Sequence, residues 1–357
     1  MNKDYSGTEA LPPAHQLDVA ALRAYLAENL PLEPGSLDVR RFKGGQSNPT
    51  YLLDSGGQRY VLRRKPVGTL LPSAHAIERE YRVISALSDS AVPVPRPRLL
   101  CEDPSIIGSA FYVMDYVDGR VFWDAALPGL SSSERAAVYG ELGRVIAELH
   151  KQPWMTPNLD GFGRPENYVA RQIARWTAQY RASQHEDISS MERLIDWLPG
   201  HVPAGDETAI VHGDYKLDNV IFHQTEPRIV AVLDWELSTL GHPMVDFAYH
   251  CMAWMVPYER INGLAGLDLD ALSIPSQQAY LEQYCAATGR AMPSAGEWLF
   301  YQAFCLFRIA AISQGIMARA RKGNASNDSA FEFGSRARLY ADLGWQLVES
   351  GSAGTTD

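Results

Sequence analysis

A chain of 357 residues, 46% of them hydrophobic, is long enough for two or three compact units and apolar enough to bury sizeable cores, which excludes a disordered protein. Its 32 Lys and Arg against 42 Asp and Glu leave a formal charge of -10, the wrong sign for a general nucleic-acid binder, so any anionic ligand must find a local basic pocket. Cys101, Cys251, Cys285 and Cys305 are scattered without a Cys-x-x-Cys pair. The N-terminus lacks the apolar core of a signal peptide, and the most apolar late run, Trp298 to Met317, is broken by Gln302, Arg308 and Gln314. These features predict a cytoplasmic protein with no membrane span.

Residues 1–15 read as a mobile tail, followed by an amphipathic helix from Leu17 to Leu30 that Pro31 and Pro34 close. From Leu37 the pattern turns to strands: 37–42, 50–55 and 58–65, separated by Gly44-Gly45 and Gly56-Gly57. A helix over 74–87, a proline-rich turn and two apolar strands near 98–100 and 111–116 complete a first lobe, a sheet with one long helix. Val117-Asp118-Gly119 is a candidate hinge. Beyond it helical patterns dominate: one opens at the capping-box pair Ser131 and Glu134, and others cover 168–183, 188–198, 276–287, 296–321 and 329–349. Short strands at 209–211, 220–223 and 229–233 lie among them. The expected organisation is a tail and helix at 1–36, a nucleotide-binding lobe at 37–117, a catalytic lobe at 118–350 and a flexible tail at 351–357.

Those short strands carry the chemistry. His212-Gly213-Asp214-Tyr215-Lys216-Leu217-Asp218-Asn219 follows the first, and Asp234-Trp235-Glu236 follows the last. Phosphoryl transfer to an alcohol needs a carboxylate facing the acceptor, bound magnesium, and donors around the phosphates. Asp214, at a strand end after a flexible glycine, is the candidate catalytic base. Asn219 can give an amide oxygen to Mg2+ where another carboxylate would overcharge the site, and Asp234 is the natural second metal ligand. Lys216 can neutralise charge growing on the transferred group. His212 reads as a structural residue of the loop. A lone His-Gly-Asp would be an ordinary turn after a strand; the whole string, with its following strand and terminal Asp, is far more specific.

The string resembles the catalytic loop of eukaryotic-type protein kinases, with Asp234-Trp235-Glu236 in place of their Asp-Phe-Gly. Gly213 stands where they carry the arginine of activation-loop control, and their Ala-Pro-Glu element is missing. His-Gly-Asp with Asp-Trp-Glu is similar instead to the aminoglycoside phosphotransferase and choline kinase superfamily of small-molecule kinases, over roughly Val39 to Leu343. The resemblance implies an α+β, bilobal protein-kinase-like fold, with an N-terminal antiparallel sheet, one long helix and a mainly helical C-terminal lobe. It also implies ATP and Mg2+ as cofactors. Phe42 to Thr50 matches the loop over the nucleotide phosphates, with Gly44, Gly45 and Ser47 facing them. Arg63 falls at the phosphate-pairing cation, although Arg64 and Lys65 leave the register open; strand alternation puts Arg63 and Lys65 on one face. Glu80 matches the glutamate that pairs with this cation. Met114, Asp115, Tyr116 and Val117 match the strand that receives the adenine edge, and Asp246 a brace for the catalytic loop.

The acceptor is less determined. Tyr168, Trp176, Tyr180, Tyr249, Trp254 and Tyr258 offer aromatic faces for a choline-like cation, or are simply core. The segments 44–53 and 61–83 resemble the kinase-like domain joined to acyl-CoA dehydrogenases in some larger proteins, which implies a hydroxyacyl-CoA or related acyl compound. Arg319, Arg321 and Lys322 at a helix end either meet its phosphates or complement the helix dipole. The expectation is a phosphotransferase acting on the hydroxyl of a small molecule. The alternatives are an aminoglycoside, choline-like or sugar-like kinase, a protein kinase, and a non-catalytic nucleotide-binding module. Oligomeric state is not legible in this sequence.

Overall fold

The computed structural model of the protein describes residues 7–12, 16–43, 48–66, 76–322 and 330–353. Gly44, Gly45 and Ser47, expected over the phosphates, lie outside the described residues. The chain divides into two compact units: the first runs to Gly119 and takes in 157–159 and 230–236, and the second holds the remainder.

In the first unit the elements are β1 (Thr8–Glu9), α1 (Val19–Asn29), β2 (Asp38–Phe42), β3 (Thr50–Ser55), β4 (Gln58–Arg64), α2 (Ile77–Leu87), β5 (Pro97–Cys101) and β6 (Phe111–Asp115). They build one six-stranded sheet in the order β1-β2-β3-β4-β6-β5, every neighbouring pair antiparallel. Gly56 and Gly57, at φ of 63° and 90°, make the tight β3–β4 turn that a residue with a Cβ would resist. Thr8 and Glu9, expected in a mobile tail, instead pair with Phe42 and Arg41 and use the open edge of β2. α1, capped by the Asp18 carboxylate, which accepts from the Ala21 amide at 2.9 Å, drops Leu22 and Leu26 into a core with Leu53, Leu62, Phe111 and Val113. The N-terminal helix is therefore part of this unit rather than a segment apart, and α2 is one of two helices of 11 residues.

The second unit contains α3 (Ser132–Lys151), α4 (Tyr168–Ser183), α5 (Ser189–Trp197), β7 (Ala209–Val211), β8 (Val220–Phe222), the first residue of β9 (Ile229–Val232), β10 (Thr239–Gly241), α6 (Pro243–His250), α7 (Tyr258–Ile261), α8 (Leu269–Leu272), α9 (Gln277–Thr288), α10 (Ala295–Arg321), α11 (Ala330–Gly334) and α12 (Ala337–Ala353). The capping box at Ser131 forms as its sequence requires: the hydroxyl accepts from the Glu134 amide, and the Glu134 carboxylate from the Ser131 amide. β10 was not expected; it pairs antiparallel with β7, opposing Leu240 to Ile210.

Helix α10 organises this unit, packing against α4, α6, α11 and α12. It buries Phe300, Ala303, Phe304, Leu306, Phe307 and Ala310 almost completely. By length and composition α10 could cross a membrane, polar interruptions notwithstanding, and 78% of its most apolar stretch is buried inside the unit. The interrupting side chains are buried too: Gln302 bonds Gln277 at 2.6 Å, and Arg308 reaches into the site described next. All four cysteines are free and buried.

Candidate active site

The catalytic string leaves β7 with its backbone held at fixed points. His212 and Gly213 donate their amides to the two carboxylate oxygens of Asp246, at 2.7 and 2.8 Å. Gly213 has φ of 84°, and a Cβ there would lie 2.8 Å from the Leu237 carbonyl oxygen, so the turn accepts no side chain. The same close approach accounts for glycine, and not arginine, before Asp214. On the other side of the residue, the Gly213 carbonyl accepts from Arg308 Nη2 at 2.6 Å. Asp214 N–H then donates to His212 Nδ1 at 3.2 Å, giving His212 the structural part foreseen for it.

Asp246, on the first turn of α6, is fully buried and accepts a further contact from His150 Nε2 at 3.2 Å. Burial works against its ionised form, but His150 and the His212 amide outweigh that cost and hold its pKa below the ordinary carboxylate value. Burial likewise lowers the pKa of His150, against the pull of Asp246, while its Nδ1 lies 2.7 Å from the Tyr284 hydroxyl.

The Asp214 carboxylate is held by three side chains. Oδ1 accepts from the Tyr249 hydroxyl at 2.9 Å; Oδ2 accepts from Asn219 Nδ2 at 2.9 Å and lies 3.4 Å from Lys216 Nζ. Asn219 Nδ2 also reaches the Asp214 carbonyl at 2.9 Å, across the short 3-10 turn at 217–219. With its nitrogen committed twice, Asn219 keeps its amide oxygen for a cation, the donor type that Mg2+ takes. Lys216 is shared with Asp218, also at 3.4 Å. Desolvation raises the pKa of Asp218; Lys216 opposes the rise and the Asp214 charge adds to it.

Arg308 lies beneath this loop, only 5% exposed, its guanidinium 4.8 Å from the Tyr249 ring centroid and 5.6 Å from that of Trp176. One face of each of Trp176 and Tyr249 is thus covered by the protein's own cation. Tyr168, Tyr180 and Trp254 are buried as core. Sequence reasoning left Arg308 no role beyond interrupting an apolar run; a lone charge in the middle of that apolar helical run was the available signal.

The first unit holds a second cluster. Arg63 Nε lies 3.0 Å from Glu80 Oε2, and Arg63 Nη2 lies 3.2 Å from Asp234 Oδ1. Lys65 pairs instead with Glu78, and Arg64 turns to the other face and donates to the Ile107 carbonyl at 3.1 Å, so the register is resolved in favour of Arg63 as the partner of Glu80. Glu80 also accepts from Asn48 Nδ2 at 2.6 Å and from the Tyr112 hydroxyl at 3.0 Å, neither of which the sequence singled out. Arg63 remains a cation: burial disfavours its charge, but Glu80, Tyr112 and Asp234 overcome that and raise its pKa. Burial pushes Glu80 up, with Arg63, Tyr112 and Asn48 opposing.

Asp234 keeps 36% of its side chain exposed and sits at φ of 63°, a left-handed conformation uncommon outside glycine. Trp235 beside it is buried, its indole donating to the Val232 carbonyl at 2.9 Å. A partly exposed carboxylate fits a Mg2+ ligand, because Mg2+ keeps waters and phosphate oxygens and needs only one or two protein carboxylates. Among the described residues no group of three or more His, Cys, Asp or Glu is placed to hold a metal ion. Of the expected adenine-facing residues, Asp115 and Tyr116 give their amides to the Arg96 and Arg59 carbonyls, and the Asp115 carboxylate binds Arg98 at 2.6 and 2.7 Å. Met114 is buried within the sheet, and Val117 follows it beyond β6.

The model of the Phosphotransferase enzyme family matches residues 38–298. The chain belongs to that family. A solved candidate aminoglycoside phosphotransferase from Ralstonia eutropha is similar at 51% identity and TM-score 0.85, covering 94% of this chain and 99% of that one. A thermostable mutant of aminoglycoside phosphotransferase APH(4)-Ia, in ternary complex with ADP and hygromycin B, shares the fold at TM-score 0.60 and 16% identity, over 91% of this chain and 97% of the other. Acyl-CoA dehydrogenase family member 10 of Mus musculus is 45% identical over 88% of this chain and 29% of its own length. Family member 11 of Homo sapiens is 40% identical over 94% of this chain and 44% of its own. The chain thus spans less than half the length of these relatives. The protein-kinase-like phosphotransferase fold, with its N-terminal antiparallel sheet and helical C-terminal part, is the one the sequence led us to expect.

Proposed function

We propose that this protein is an ATP- and Mg2+-dependent kinase that phosphorylates the hydroxyl of a small metabolite, with a hydroxyacyl-CoA or related acyl compound as the acceptor. The observation that carries the reading is the Asp214 carboxylate, fixed by Tyr249, Asn219 and Lys216 directly after a residue, Gly213, whose amide and carbonyl are both pinned. Such a base accepts the acceptor's hydroxyl proton as the oxygen–phosphorus bond forms and the bond to the ADP leaving oxygen breaks. Lys216 stabilises charge on the transferred group, and Arg63, held by Glu80, meets the nucleotide phosphates. When bound, Mg2+ neutralises phosphate charge; Asn219 and Asp234 are the residues assigned to hold it.

Two facts support an acyl acceptor over the alternatives. The relatives with 40–45% identity over most of this chain are named as acyl-CoA dehydrogenase family members and carry the matching region within a longer protein. Arg308 already lies over one face of each of Trp176 and Tyr249, which weighs against a choline-like cation caged by these rings. A cytoplasmic site of action belongs to the same proposal. An ADP-release screen over hydroxyacyl-CoAs of varied hydroxyl position, sugars, choline and aminoglycosides tests it. Turnover with a hydroxyacyl-CoA, abolished in Asp214→Asn, is the expected result. Transfer only to an aminoglycoside, choline or a sugar overturns the acceptor, and turnover surviving in Asp214→Asn overturns the base.

A further inference from the structure

The two oxygens of the Asp214 carboxylate are not equivalent. Oδ2 meets both Asn219 and Lys216, whereas among the described residues Oδ1 meets only the Tyr249 hydroxyl. A carboxylate oxygen has two lone-pair directions in its plane, so Tyr249 occupies one on Oδ1 and leaves the other open. We propose that Oδ1 is the oxygen that takes the acceptor's proton and that Tyr249 is its positioning residue, setting the carboxylate plane so that the open lone pair faces the incoming hydroxyl. The inference rests on the kinase reading above and goes beyond it by assigning the proton to one atom and naming what aims that atom.

The ring of Tyr249 is itself fixed. It stacks on Arg308, whose Nη2 holds the Gly213 carbonyl one residue before the base, so hydroxyl and loop take their positions from one guanidinium. Tyr249 sits on α6, three residues after Asp246, whose carboxylate holds the two amides preceding Asp214. One helix thus fixes the loop through its backbone and the base through its side chain. Burial and the adjacent Asp214 charge raise the Tyr249 pKa well above that of an ordinary phenol, so the hydroxyl remains a donor and does not compete for the proton.

Tyr249→Phe tests this cleanly, because it removes the hydroxyl and keeps the ring over Arg308. Turnover is measured with the best hydroxyacyl-CoA and, independently, as ATP hydrolysis to water, alongside Mg-ATP affinity by calorimetry and the melting temperature. The expected result is a kcat lower by roughly ten-fold or more, the scale of one hydrogen bond to a charged group. Mg-ATP affinity and the KM for each substrate should stay within about two-fold and melting within about 2 °C. Unchanged kcat, or a loss matched by weaker nucleotide binding or a large melting shift, overturns the inference and makes Tyr249 a packing residue. Asp214→Asn separates this from failure of the kinase reading. If Asp214→Asn is inactive and Tyr249→Phe is normal, only the role of Tyr249 falls; if Asp214→Asn stays active, Asp214 is not the base and both fall.

Discussion

Replacing Gly213 by alanine, or by the arginine that protein kinases carry, tests whether the loop geometry depends on an absent side chain. At φ of 84° an L-residue loses roughly 1–2 kcal/mol relative to glycine. The new Cβ would lie 2.8 Å from the Leu237 carbonyl oxygen and 3.0 Å from the Leu237 Cβ, and relieving such a backbone contact costs about 1–3 kcal/mol more. The sum, about 2–5 kcal/mol, corresponds to a melting temperature lower by on the order of 10 °C for a unit of this size. Any relief moves Gly213, whose amide is held by Asp246 and whose carbonyl is held by Arg308, and Asp214 moves with it. A displacement of about 1 Å at a base can lower turnover about 100-fold. Differential scanning fluorimetry and ADP release on Gly213→Ala check both numbers. A variant that melts within about 2 °C of the parent and turns over within about two-fold would refute the reasoning.

Glu80→Ala leaves Arg63, Asn48 and Tyr112 without their common acceptor; breaking a buried pair from one side should lower stability by about 3–5 kcal/mol in denaturant unfolding, and a loss under 1 kcal/mol would show that Asp234 alone suffices. Asp234→Ala should abolish the Mg2+-dependent part of ATP affinity in calorimetry, and unchanged affinity would remove Asp234 from the metal. His250 is buried, its Nε2 lying 2.9 Å from the Tyr280 hydroxyl, and burial lowers its pKa to about 4, against the pull of Asp246. The unfolded imidazole titrates near 6.5, so as pH falls from about 6.5 to 4 only the unfolded chain takes up this proton and stability drops by about 1.4 kcal/mol per pH unit. His250→Gln should remove about 2 kcal/mol of the loss between pH 6.5 and 5, and an unchanged pH slope would contradict that.

The candidate site was legible where the proposed chemistry demands rare residue types in fixed order. Asp214, Asn219 and Asp234 stand at strand ends, and period-two alternation placed Arg63 and Lys65 on one face before the ion pairs showed which meets Glu80. The supports were less visible because they come from distant segments. Tyr249 lies 35 residues beyond Asp214 and Arg308 lies 95 beyond Gly213, so no local spacing relates them. Trp176 and Tyr249 looked alike as core or ligand cage, since helical periodicity reports burial and not what the buried face touches. β1 was missed for a related reason: two residues have no period, and only the unsatisfied edge of β2 gives them a place.

Arg308 gives the hydrophobic centre of the second unit a direct hold on the loop before Asp214. Substitutions along α10 that merely shift the helix will therefore register as changes in rate before they register as unfolding. A mutational scan read by turnover and by abundance should show the two maps diverging along this helix: positions packed toward α12 tracking abundance, and the turns flanking Arg308 tracking turnover.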